Sequence, residues 1–227
     1  HSGDKSSVDD TYKLFVRSLR QDALRTGDSD EHILREIATI SQSPHVNNDD
    51  KMLFIDLALT LLPETKRPNS DIRHLLTFAY ILNSSQAIDE KYAGILEDVL
   101  SRALQLSPNK QDVYFELAQL HLNKGDKSTA LNLLKKAWEL SPRYTDAAAN
   151  LLTLAIVTNE REIIEKIESS VILEDWTLSQ LERIGTAYRM VDDYGAAFKI
   201  YHYISSINPR QPEAHFWCGV SEFHSNR

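Results

Sequence analysis

Between Gln111 and Leu140 apolar side chains return every three or four residues in two short runs, with polar and charged residues filling the gaps. The first run carries Tyr114, Leu117 and Ala118, and the second Ala130, Leu134 and Ala137. That period places the apolar positions along one side of a helix, so each run predicts an amphipathic helix with one buried face. Gly125 and Asp126 separate the runs. Gly125 has no Cβ and can take the left-handed conformation that ends a helix. Asp126 offers a carboxylate to the first free N–H groups of the next helix. Pro142 lacks the N–H a continuing helix needs, and the chain must turn there.

The same format recurs along the chain. Leu75, Phe78, Ala79 and Leu82 repeat the first run, and counting back from Pro108 places Leu96, Leu100 and Ala103 in the second. These halves disagree by five residues, and the surplus is assigned to a longer loop over Asn83–Asp89, where insertion costs little. Thr145–Thr177 aligns through Ala148, Leu151, Ala155 and Ile164 but is one residue short and lacks a closing Pro. Leu178–Pro209 restores the pattern with Leu181, Ile184, Gly185, Tyr188, Ala197 and Tyr201. Pro142 follows Pro108 by 34 residues, and Pro209 follows Pro142 by 67, two such periods. Pro212 opens a further first helix with His215, Cys218 and Gly219 at the matching places.

The N-terminal part is less regular. A helical stripe runs over Asp9–Arg25 until Gly27, and Ser29 or Asp30 can cap a second helix through Ile33, Leu34, Ile37 and Ile40 that ends near Pro44. Asp49 or Asp50 caps Lys51–Leu62, which Pro63 and Pro68 end; apolar on more than one face, it is expected between neighbours. The expected organisation is a disordered or cloning-derived leader at 1–8 and irregular helices, readable as a degenerate repeat, at 9–68. Repeat units follow at 69–110, 111–144, 145–177 and 178–211, with a half-unit at 212–227.

With Gln111 as position 1, Tyr114, Leu117, Ala118, His121, Ala130, Leu134, Ala137 and Pro142 fall at positions 4, 7, 8, 11, 20, 24, 27 and 32. This spacing resembles the tetratricopeptide repeat (TPR), with Tyr114 for Trp, His121 for Tyr and Leu134 for Phe. The resemblance implies an all-α, right-handed α-solenoid of stacked antiparallel helix pairs. It also implies that the first helix of each unit lines a concave groove binding a protein or peptide. The groove positions hold Phe115, Gln119 and Asn123, then Asn150 and Thr153, then Ser179, Glu182, Arg183, Thr186 and Arg189. In the half-unit they hold Phe216, Trp217 and Phe223, which with Phe115 are candidate aromatic anchors. The competing use of these rings is to be covered by flanking segments of the chain itself. Some members of the family clamp a C-terminal carboxylate; the corresponding five positions are Phe115, Gln119, Asn150, Ser179 and Arg183. Both lysines of that clamp are missing, which removes most of its charge complementarity.

Charge and chemistry narrow the picture further. The net charge is −8 without a basic block, which argues against nucleic acid as a partner. No run reaches the roughly 18 apolar residues of a membrane span, and the greasiest, Met52–Leu62, carries Asp56. Cys218 is the single cysteine, so no internal disulfide forms. Its place in the pattern reads as a small packing residue. No phosphate-binding Gly-rich loop, nucleophile elbow or His-Glu-x-x-His pattern occurs, so neither an enzyme nor a cofactor or metal site is expected. Glu160–Glu168 reads as a solvated helix face. The half-unit exposes apolar rings, so either more chain follows or it docks on a second copy, giving a homodimer. A narrower likeness runs through the long loop into EDVLSRALQLSPNKQDVYFELAQLHLNKGDKSTALNLL. It is similar to the C-terminal repeat region of bacterial O-antigen ligase or polymerase-like membrane proteins. That likeness implies, as the alternative function, an accessory domain of a glycan-transfer protein, and it transfers no catalytic residue. The compartment is cytoplasmic by default, or membrane-associated if the chain is such a tail.

Overall fold

The structure, a computed structural model, describes residues 29–43, 46–65, 72–85 and 92–225. The regular elements among the described residues are eleven α-helices and one 3-10 turn, the all-α class that the periodicity predicts. The chain divides into two compact units, His1–Pro108 and Asn109–Arg227.

The first unit contains α1 (Ser29–Gln42), α2 (Asn48–Thr65), α3 (Ile72–Ser85) and α4 (Tyr92–Leu106). α1 packs on α2 and α3, and α3 on α4. Leu34, Ile37, Ile55, Leu75, Phe78 and Leu96 are buried between them. Two expectations need correction. α2 begins before Lys51 and runs past Pro63 to Thr65. Its start is set by Asn47, whose side chain accepts from the Asp50 N–H at 2.9 Å and donates to the Asp50 carboxylate at 2.6 Å. A proline so near a helix end removes a single hydrogen bond of the last turns, and the helix survives it. The residues Asn83–Ser85, assigned to a loop, form the end of α3, where the Ser84 hydroxyl bonds the Tyr80 carbonyl at 2.8 Å. The helix expected over Asp9–Arg25, the stops at Gly27, Pro44 and Pro68, and residues 86–89 of the expected loop lie outside the described residues.

The second unit contains α5 (Gln111–Asn123), α6 (Lys127–Leu140), α7 (Thr145–Thr158), α8 (Arg161–Glu168), α9 (Leu178–Met190), α10 (Tyr194–Ile207) and α11 (Pro212–Ser225). Its hairpins share one device. Gly125 (φ 78°), Asn159 (φ 59°) and Asp192 (φ 59°) are left-handed and sit at the end of α5, α7 and α9. Gly, Asn and Asp are the residues that visit this region at least cost. The next residue then opens the second helix. Asp126 accepts from the Thr129 N–H at 3.0 Å, and Asp193 accepts from the Ala196 N–H at 3.0 Å. Glu160, at the corresponding place before α8, makes no capping bond. α8 is also the short member, 8 residues against 14 in α6 and α10.

Small residues decide how closely the helices approach. Ala118 and Ala130 are buried where α5 meets α6. Ala147, Ala148 and Ala149 in the first turn of α7 are fully buried. α7 packs on α6 and, to the same extent, on α9, and only lightly on α5. α8 packs on α7 without a comparable approach to α9. The chain between α8 and α9 is irregular apart from the 3-10 turn Leu173–Asp175. Thr177 and Gln180 close a reciprocal capping box at the start of α9. The Gln180 amide also donates to Asp146 of α7 at 2.6 Å.

Candidate functional site

The groove positions lie on the first helices of the second unit, α5, α7, α9 and α11, and neighbouring first helices are tied through side chains. Phe115 of α5 stacks on Tyr144, the residue before α7, with ring centroids 6.3 Å apart and planes inclined by 24°. The exposed Arg183 guanidinium of α9 donates to the Asn150 side-chain carbonyl of α7 at 2.9 Å. Gln211, just before α11, donates to the Glu182 carboxylate of α9. The guanidinium carbon of Arg189 of α9 lies over the ring of Trp217 of α11, 3.3 Å from its centroid, and 5.9 Å from that of Tyr201.

These ties sort the candidates. Asn150 and Arg183 come together as a bridged polar pair. Gln119 donates to Asn123 one turn along α5 at 2.8 Å, in a bond open to solvent, and Ser179 lies at the start of α9. Thr153 and Thr186 already have hydrogen-bond partners within this unit. Thr153 bonds the Ala149 carbonyl at 2.7 Å, and Thr186 lies 3.2 Å from the Tyr201 hydroxyl. Phe216 is 60 % exposed and meets Trp217 edge to face at 4.9 Å. Trp217 is half-buried under Arg189, and Phe223 is 56 % exposed. Tyr144 and Gln211 take part in this row without having been singled out from the sequence. They precede their helices and so fall outside the helical spacing that identified the others.

The row presents an exposed guanidinium, side-chain carboxamides and aromatic rings. The Cys218 thiol is half-buried and pushed up by burial, with Glu222 adding to the effect, which works against thiolate reactivity. Among the described residues no cluster of His, Cys, Asp or Glu could hold a metal ion. No helix of the described residues is long and apolar enough to cross a membrane.

Comparison with known proteins agrees with this architecture. No family model matches the chain. Over 106 residues it is 28 % identical to the photosystem I assembly protein Ycf3 of Cyanophora paradoxa, an alignment that takes in 45 % of this chain and 57 % of that protein. The chain therefore spans little more than half the length of this curated relative. A crystal structure of a thermophilic TPR protein from Thermus thermophilus matches with a TM-score of 0.58 at 16 % identity, covering 86 % of this chain and 99 % of that one. Stacked antiparallel helix pairs with small residues at their crossings give this chain the fold of a TPR protein.

Proposed function

We propose that this chain is a non-catalytic interaction scaffold that holds a peptide or protein segment along α5, α7, α9 and α11. The observation that carries the reading is the Arg183–Asn150 bridge at 2.9 Å, which fixes an exposed cation in the row between two first helices. A groove whose side chains are ordered before binding loses less entropy when a partner docks. Phe115 and Phe216 supply apolar contacts on either side, and Gln119, Asn123 and Ser179 supply hydrogen-bonding groups. The TPR fold supports this reading, and so does similarity to a protein named for assembly of a larger complex.

The test is a double variant, Phe115→Ala with Arg183→Glu. A partner captured by cross-linking to the native chain and identified by mass is expected to be lost from the variant, while its circular dichroism stays helical. Undiminished capture of the same partner would reject the assignment of this face.

A further inference from the structure

Away from that row, a cavity of ≈ 900 Å³ opens between α8 and α10. Its floor is apolar: Leu152 and Ile156 of α7, Ile184 and Tyr188 of α9, and Trp176 of the connecting segment. It exists because α8 is short, uncapped and set apart from α9, so no second helix fills the space that α6 and α10 fill in their own pairs. We propose that this trough is a second docking site, independent of the first-helix row, for a basic amphipathic helix of a protein partner.

The walls argue for a helix. Arg161, Ile164, Glu165 and Glu168 line the trough from α8, a stripe at i, i+3, i+4 and i+7. Ala196, Lys199 and Ile200 line it from α10, with Gly195 beside them and the N-cap Asp193 a turn earlier. The α8 stripe spans two turns of one helix face, the periodicity with which a helix receives the ridges of another. Ala196 leaves room in its wall, and Ile172, 62 % exposed, stands at the edge as an unused apolar contact.

The rim argues for positive charge on the partner. The carboxylates of Glu165, Glu168, Glu174 and Asp193 outnumber the cations of Arg161 and Lys199. Glu168 and Asp193 are fixed in place, one accepting from the Tyr188 hydroxyl at 2.5 Å and the other capping α10. An apolar stripe flanked by Lys or Arg therefore complements the site, and one flanked by acids is repelled.

A display library of helical peptides about three turns long tests this, with leucines fixed at i, i+3, i+4 and i+7 and the flanking positions randomised. Panning against the native chain is expected to enrich Lys and Arg at the flanks. Affinity for an enriched peptide should fall at least about ten-fold in Ala196→Trp and in Glu165→Lys with Glu174→Lys. It should be unchanged in Phe115→Ala with Arg183→Glu, so the failure of one site is distinguishable from failure of the other. The exposed charge reversals guard against a folding defect in Ala196→Trp. Absence of enrichment, enrichment of acidic flanks, or binding indifferent to the charge reversals overturns the proposal. So does occupation by a small apolar probe such as laurate with no peptide binding.

Discussion

The backbone of Gly185 lies directly beneath the ring of Tyr201. A β-carbon added at Gly185 would meet Tyr201 Cζ at 3.0 Å and Ile200 Cγ2 at 3.2 Å. α9 and α10 cross here so closely that a methyl at position 185 would require the Tyr201 ring or the Ile200 side chain to give by a few tenths of an ångström. The ring has little freedom to retreat, with Thr186 beside its hydroxyl and the Arg189 guanidinium near its face. Gly185→Val is therefore expected to destabilise the chain by about 1–3 kcal/mol through overpacking. Gly185→Ala should cost less, because its helix propensity returns about 1 kcal/mol. Urea unfolding of the two variants checks the order.

Tyr188 ties α9 to the end of α8. Its hydroxyl donates to Glu168 at 2.5 Å, and burial, reinforced by that carboxylate, holds its pKa far above the ordinary value. A folded-state pKa raised above the unfolded one gives stability that is whole below the unfolded value of about 10 and is lost as pH rises beyond it. Thermal unfolding should therefore fall between about pH 10 and 12 in the native chain, and Tyr188→Phe should flatten that decline. At pH 7 the same substitution is expected to cost about 0.5–1.5 kcal/mol for the missing hydrogen bond.

Asp126 has the opposite sign. Bonds from Thr129, chiefly, and the approach of His121 at 3.1 Å hold its carboxyl below the ordinary value. Its contribution is present above the unfolded pKa and disappears as pH falls through the lowered one. Asp126→Ala should lower the melting temperature at pH 7, and lower it progressively less as pH falls through the lowered value of the native carboxyl.

The Arg189–Trp217 contact is the side-chain clasp between α9 and α11. A half-buried cation–π pair contributes about 1 kcal/mol. Replacing Arg189 with Ala is expected to speed amide hydrogen exchange in Pro212–Ser225 several-fold, with α5 and α6 unaffected. Equal protection of α11 in both chains would show that the helix is held by its packing on α10 alone.

The sequence by itself determined the helices and most of their ends, because capping and helix-breaking act over a few residues. Gly125, Asp126 and Pro142 do locally what their chemistry dictates, and the recurring small residues mark where paired helices cross. Pro63 is one exception, since the cost of a proline depends on how many turns follow it, and Asn83–Ser85, helical rather than loop, is another. Only the tertiary structure decided the rest. It made Asn159 and Asp192 serve as Gly125 does, a role their side chains permit without announcing. It set Thr186 against Tyr201, placed Arg189 over Trp217, and left α8 apart from α9 with a cavity between α8 and α10. Each of these depends on which side chains from distant parts of the chain meet, and spacing along one helix carries no information about the helix it will face.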